Sequence, residues 1–271
     1  MTVTDADLKR GAPPAASVPR HVKGLLWREW LAHRAIAVGA AAIYLTLAWA
    51  LLIFFHPGFV LGYGLILVLV VGPALAAQEP LEGSEEFAFS LPPTRGERYL
   101  VRLALWGGGF LLFLVFATLS IAFDLPQLVW GLFVQTGFTE ANPKADAWLY
   151  GLAVAMPFAA FAFTFVFGGL ARTRGAAMWS AFLGVLCAAA IFFLWAAMNA
   201  LIGVDAFSWT SVPVLLVFAA GALVLGYFGY VRKEGISRPA SMSGSRGWGW
   251  ALLIVGVLLA LLFLTSIAHI A

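Results

Sequence analysis

The sequence from Glu79 to Arg102, EPLEGSEEFAFSLPPTRGERYLVR, is a long charge-rich segment that lies between two strongly apolar runs. The runs on either side, about 59–77 and 101–123, are each long enough to cross the roughly 30 Å of bilayer hydrocarbon as a helix. A segment this polar cannot lie within the hydrocarbon, because its charged groups would lose their hydration there. The pattern therefore predicts membrane helices joined by a loop outside the bilayer.

The overall composition supports the same class. Hydrophobic residues make up 62% of the 271 residues and charged residues only 11%, and the mean hydropathy is +0.95. A soluble domain does not carry so apolar a composition, so we expect an all-α integral membrane protein, a polytopic helical bundle. The net charge of +3 does not indicate nucleic acid, because the Lys and Arg residues form short clusters between apolar runs. The single cysteine, Cys187, lies in an apolar run and excludes a disulfide within one chain.

Seven apolar runs have the length of a membrane span. The segment after Asp124, LPQLVWGLFVQTGF, is interrupted by Pro126 and Gly131 and is predicted to be an external interfacial helix, not a span. The predicted spans are at about 35–55, 59–77, 101–123, 148–170, 176–202, 212–231 and 248–268.

The two ends of the chain are predicted to differ from this core. Residues 1–20 are polar and rich in Pro, which predicts a disordered cytoplasmic tail. Residues 21–34, HVKGLLWREWLAHR, combine two Trp residues with several cations and predict a helix lying in the headgroup layer. The alternative is that this segment extends the first span. Residues 232–247 form a cationic linker, and 248–271 contain the seventh run.

The distribution of Lys and Arg residues predicts how the chain is oriented in the membrane. With the N-terminus inside, fifteen of the sixteen Lys and Arg residues fall on the cytoplasmic side and only Lys144 falls outside. This asymmetry follows the positive-inside rule, so we expect a cell-membrane protein with a cytoplasmic N-terminus and an external C-terminus.

The spans carry few groups suited to chemistry or ion coupling. The acidic residues beyond the cytoplasmic segments lie at predicted external edges or loops, and Asn199 is the most polar side chain well inside a run. An ion-coupled transporter usually needs a charged group near the midplane. The histidines are scattered, so no metal or catalytic cluster is expected.

The chain also lacks a phosphate-binding loop. None of its four lysines follows a glycine, which excludes the GxxxxGK[ST] pattern. We therefore expect no cofactor on this chain and no enzyme activity of its own, and any ATP hydrolysis must occur on a separate polypeptide.

The loop itself predicts two helix starts. Ser84 can cap a short helix whose first turn holds Glu85 and Glu86, where negative charge is favourable. Pro92 and Pro93 end that helix. Thr94 and Glu97 then have the spacing of a capping box, which predicts that the next helix begins there and continues into the third span. Phe87 and Phe89 give this short helix two aromatic side chains, which predicts a surface that faces a partner protein. The alternative is a solvated linker.

This loop resembles the segment between spans two and three of the permease subunits of ABC-2 type transporters. There the pattern is Glu, Gly-Thr, Glu, an apolar run, Leu-Pro, and Ser/Thr-Arg followed later by Lys. The matching positions are Glu79, Gly83-Ser84, Glu86, Leu91-Pro92, Thr94-Arg95 and Arg102. The segment GLLWREWLAHR also resembles the N-terminal elbow helix of that family, and 35–231 would be its six-span domain with the coupling loop at 78–100. The seventh run departs from the family pattern of six spans.

The resemblance implies a function and partners. The loop would be a coupling helix that docks on an ABC ATPase subunit, and the turn ARTRG would offer a second contact through Arg172 and Arg174. A homodimer of this chain, or a pair with a paralogous permease, would be surrounded by membrane lipids and would form the transport path across the bilayer. It would export an apolar or amphiphilic substrate. The docking residues would be Glu79, Glu82, Gly83, Ser84, Glu85, Glu86, Phe87, Phe89, Leu91, Pro92, Thr94 and Arg95.

Two other classes stay open from the residues. A membrane assembly subunit without an ATPase fits the same hydropathy pattern. An intramembrane enzyme fits less well: Glu85-Glu86 resembles the EExxxR start of a membrane protease, but Ser90 stands at the Arg position and no histidine cluster follows.

Overall fold

The computed structural model of the protein describes residues 18–50, 56–76, 94–126, 128–129, 145–205 and 208–233. The predicted coupling helix Ser84–Leu91 and the predicted span 248–268 lie outside the described residues. So do the linker from residue 234 onward, most of the N-terminal tail and most of the predicted external helix after Asp124.

The described residues form six long helices and no strand, and each helix is long and apolar enough to cross a membrane. This confirms the all-α class for the described residues, and six of the seven predicted spans fall on helices of suitable length and composition. The helices are α1, Val18–Leu45 with a π-helical turn at Thr46–Ala50; α2, Pro57–Ala76; α3, Arg95–Arg102 continuing through a π-helical turn at Leu103–Gly107 into Gly108–Ala122; α4, Ala147–Leu170; α5, Arg174–Leu201; and α6, Ser211–Arg232.

The first helix differs from the predicted arrangement. We predicted an interfacial helix at 21–34 followed by a separate span, but α1 is helical from Val18 to Leu45 without an end at Arg34. Nothing in this stretch interrupts the backbone hydrogen bonds, because its single proline, Pro19, lies in the first turn, where a proline is tolerated. A separate elbow helix is therefore unconfirmed, and the helix bounds match the alternative, an extension of the first span.

Helix α4 is the centre of the bundle. It packs against α2, α3, α5 and α6, and 67% of the residues in its most apolar 18-residue window are buried, against 17% in α1. Its alanines allow this approach: Ala153, Ala159, Ala160 and Ala162 are all fully buried. Small side chains bring helix backbones close together, which is the main source of packing energy within a bilayer.

Charge is separated between the two ends of the bundle. All Lys and Arg residues in the described part of the chain lie toward the end that holds the start of α1 and α3 and the ends of α4 and α6. Asp124, Asp146 and Asp205 lie at the opposite end. We refer below to the end with the cations as the charged end.

Helices α1 and α3 run parallel in a constant register. Glu29 contacts Arg102, His33 contacts Trp106, and Tyr44 contacts Ala117, and each pair is separated by 73 residues in the sequence. The two helices therefore lie side by side and begin at the same end of the bundle.

Candidate functional site

The start of α3 has the predicted capping box. The backbone N–H of Glu97 donates to the Thr94 hydroxyl oxygen over 3.2 Å, and the backbone N–H of Thr94 donates to a Glu97 carboxylate oxygen over 2.7 Å. The two bonds satisfy N–H groups that the first turn of a helix leaves without partners. The prediction from the sequence is confirmed, and it fixes where the 79–93 loop ends and α3 begins.

Two turns into α3, Arg102 forms a buried ion pair with Glu29 of α1. Both Nε and Nη2 of Arg102 donate to the same carboxylate oxygen, Oε1, over 3.1 and 3.0 Å. The side chains are only 6% and 5% exposed. The second oxygen of Glu29, Oε2, is buried and makes no hydrogen bond to the described residues. With so little water around them, the two charges are stabilised mainly by each other. Loss of either side chain would leave the charge of the other buried.

Aromatic side chains continue this contact toward the middle of the helices. The Trp30 and Trp106 rings stack with centroids 6.3 Å apart, and the His33 ring meets Trp106 edge-on at 5.4 Å. His33 is itself buried, and its Nδ1 lies 3.3 Å from the Glu29 carbonyl oxygen. The charged end of α1 is therefore joined to α3 by an ion pair and by ring packing, one turn apart.

On its other side, the start of α3 is joined to α6 by Tyr99. The Tyr99 hydroxyl donates to the Leu223 carbonyl oxygen over 2.8 Å. Its ring packs within 6 Å, centroid to centroid, of Phe165 in α4 and of Tyr227 and Tyr230 in α6. One helical turn of α3 thus contacts α1 through Arg102 and contacts α4 and α6 through Tyr99.

The turn between α4 and α5 is held by Lys233, which follows the last residue of α6. Its Nζ donates to the carbonyl oxygens of Ala171, over 2.8 Å, and Gly169, over 3.3 Å. Carbonyl groups at a helix C-terminus carry partial negative charge, so a cation there is favourable. Arg172 and Arg174 in this turn are exposed, as a contact surface requires.

Few of the predicted docking residues can be placed. Thr94 and Arg95 lie at the start of α3, and Arg172 and Arg174 lie at the same end of the bundle. The others lie outside the described residues, namely Glu79, Glu82, Gly83, Ser84, Glu85, Glu86, Phe87, Phe89, Leu91 and Pro92.

Three residues of this site were missed by sequence reasoning: Glu29, Tyr99 and Lys233. Only Glu29 left a usable signal, because it is a lone acidic residue among the cations of 20–34. Its partner could not be chosen from the sequence, since several arginines lie on the same predicted side.

Comparison with protein-family models, with curated proteins and with solved structures found no match. The family resemblance of the 79–102 loop therefore stands on the residues alone.

A metal-binding cluster is absent from the part of the chain that the structure describes. No group of three or more His, Cys, Asp or Glu side chains there is placed to hold a metal ion. The geometry shows instead that the start of α3, which follows the 79–93 loop, is joined by side-chain contacts to α1, α4 and α6.

Proposed function

We propose that this chain is the permease subunit of an ATP-driven ABC transporter, and that the loop before α3, from Glu79 to Arg95, docks on a separate ATPase subunit. In this proposal the ATPase pushes on the loop, and α3 transmits the displacement to the rest of the bundle. Two such chains, or this chain and a paralogue, enclose the path across the cell membrane.

The observation that supports the proposal best is the way α3 begins. The loop ends at a capped helix start, Thr94, and within eight residues that helix is joined to α1 by Arg102 and to α6 by Tyr99. A force applied to the loop would therefore act on three membrane helices at once.

The proposed cargo is apolar or amphiphilic, and the proposed direction is export. The buried charged side chains of the described residues, Glu29, Arg98, Arg102 and Lys233, all lie in the half of the bundle at the charged end, whereas the buried polar side chains in the opposite half, such as Thr118, Ser120 and Asn199, are neutral. A path without charges suits an apolar substrate, because such a substrate needs no charged group to offset the loss of its hydration.

Association with an ATPase subunit tests the docking surface directly. The chain is purified from its own membranes in mild detergent, and associated polypeptides are identified by mass spectrometry. We expect a partner without membrane spans that carries a GxxxxGK[ST] loop and binds ATP. Replacing Phe87 and Phe89 by Ala should weaken that association about thirtyfold, the equivalent of losing an interface hot spot of about 2 kcal/mol, and Glu86→Lys should do the same.

Matched controls are available at the opposite end and on the outer surface. Asp205→Lys also reverses a charge, and Phe123→Ala also removes an exposed aromatic ring. Both should leave the association unchanged. If no ATPase co-purifies, or if the loop variants retain it in full, the docking role is wrong and a membrane assembly subunit becomes the better description.

A further inference from the structure

An apolar cavity of about 340 Å³ lies between α1, α2 and α3, with Phe161 of α4 in its wall. No charged residue lines it. Its size is at the lower end of the range for ligand sites, roughly 300–1,000 Å³. Protein interiors rarely leave such a volume empty, because the lining atoms lose packing contacts.

The cavity follows from the way α1 and α3 meet. They touch at Glu29–Arg102 and His33–Trp106 near the charged end and again at Tyr44–Ala117. The cavity lies between these contacts, where the lining includes three small residues of α1, Ala37, Ala40 and Ala41, and Gly109 of α3. The π-helical turn Leu103–Gly107 also lies beside it, and π turns of this kind are frequent at functional sites.

The cavity opens to the outside of the bundle. Ile36 on α1 and Gly109 on α3 both line it and are both exposed. In a bilayer this opening faces lipid chains. Toward the charged end the stacked rings of Trp30 and Trp106 close the cavity, and the Glu29–Arg102 pair follows beyond them.

The depth of the cavity matches one leaflet. Its lining extends along α1 from Trp30 to Ala41, which is about 16 Å at ~1.5 Å per residue. This is about half of the ~30 Å hydrocarbon thickness. Trp30 lies near the charged end, where Lys23, Arg28 and Arg34 of α1 are exposed and can contact a phosphate.

We propose that this cavity binds one acyl chain of a membrane phospholipid from the leaflet at the charged end. The chain enters between Ile36 and Gly109, and the headgroup stays in the interface beside the cations of α1. The proposal does not depend on the transport function, since it rests on the shape and lining of α1 to α3.

A protein helix does not fit the same space. A helix has a diameter of about 10–12 Å, so a 16 Å length of it needs on the order of 1,500 Å³. Another copy of the chain, or its apolar run 248–268, could cover the opening but could not enter the cavity. A single acyl chain is narrow enough to do so.

Photolabelling tests the proposal. The full chain is reconstituted in vesicles of phosphatidylcholine and phosphatidylglycerol that contain a trace of phospholipid with a diazirine on one acyl chain, and adducts are mapped by mass spectrometry. We expect adducts to concentrate on the lining residues Val71 and Phe113. Their neighbours Val70 and Leu112 are exposed on the lipid-facing surface and should carry the background level.

The chain supplies a matched pair of variants. A Cβ added at Gly109 or at Gly108 meets no atom within 4 Å, but only Gly109 lines the cavity. Gly109→Leu should therefore lower labelling of Val71 and Phe113 by about fivefold or more because it fills the space, whereas Gly108→Leu should not change it. If Gly109→Leu does not fold, Ala41→Leu fills the cavity from the α1 side.

Three results would overturn the proposal. The first is equal labelling of the lining and of the lipid-facing surface. The second is full labelling of a folded cavity-filling variant. The third is an adduct pattern in which the lining is protected from lipid by a second copy of the chain, which would make the cavity part of a protein interface.

Discussion

Gly184→Ala is expected to destabilise the protein by about 1–3 kcal/mol, and Gly184→Leu is expected to prevent folding. Gly184 lies on α5 where it crosses α4. A Cβ added there would lie 2.6 Å from the Ala160 carbonyl oxygen and 2.7 Å from the Thr164 nitrogen, and would also meet the Thr164 hydroxyl. Because two of these atoms belong to the backbone, no side-chain rotation relieves the overlap, and the helices must separate.

The measurement is the thermal unfolding midpoint in detergent, followed by size-exclusion chromatography. Gly221→Ala is the matched control, since Gly221 is also in mid-helix and a Cβ there meets nothing within 4 Å. That variant should be neutral or slightly stabilising, by up to about 1 kcal/mol, through helix propensity. A second test is Gly184→Ala combined with Thr164→Ala, which should recover little stability because the backbone contacts remain. Equal midpoints for the Gly184 and Gly221 variants would contradict the close packing of α4 and α5.

Breaking the Glu29–Arg102 pair is expected to have the second large effect. Arg102→Met leaves the Glu29 carboxylate buried without its partner, which costs about 3–5 kcal/mol for pairs of this kind. Glu29→Leu removes the other member of the same buried pair and should also destabilise the protein. The check is the unfolding midpoint together with the amount of protein that reaches the membrane.

The double variant separates a charge effect from a general packing effect. Glu29→Leu with Arg102→Met removes both charges and should recover most of the loss, since an apolar pair of similar size replaces a buried ion pair with little net cost. Arg34→Met is the single-charge control on the same helix, because Arg34 is exposed, and it should stay within about 0.5 kcal/mol. Additive losses in the double variant would show that the two side chains do not depend on each other.

Local signals were read correctly from the sequence. The spacing of Thr94 and Glu97 predicted the capping box that starts α3, and the structure has both of its hydrogen bonds. The six described spans also begin and end within a few residues of the predicted bounds, except for α1 and the start of α3, which extend beyond the apolar run. These features depend on residues a few positions apart, so the sequence contains the information needed to predict them.

The α1 prediction shows where a local signal is not enough. The Trp residues and cations of 21–34 indicate an interface, but an interfacial composition does not end a helix. Only a break in the backbone hydrogen bonds does so, and none occurs between Val18 and Leu45. The composition of this segment was therefore read from the sequence, but the continuation of its helix into the first span was not.

The connections at the charged end could not be predicted either. Glu29 and Arg102 are 73 residues apart, and Tyr99 and Leu223 are 124 apart. Several arginines on the same side were equally available to Glu29, and the choice of Arg102 follows from the parallel register of α1 and α3. The cavity between these helices has the same origin, since its small residues act together only when the two helices lie side by side.

The sequence by itself determined the class of protein, the number of described spans and the grouping of its cations at one end, because each follows from hydrophobicity and charge along the chain. Only the tertiary structure decided which helix is central. Both a buried residue and a lipid-facing residue are apolar in a membrane, so hydropathy does not distinguish Ala160, which is fully buried, from Val70, which is exposed. The central position of α4 depends on close packing through small side chains, and that packing exists only once the helices have met.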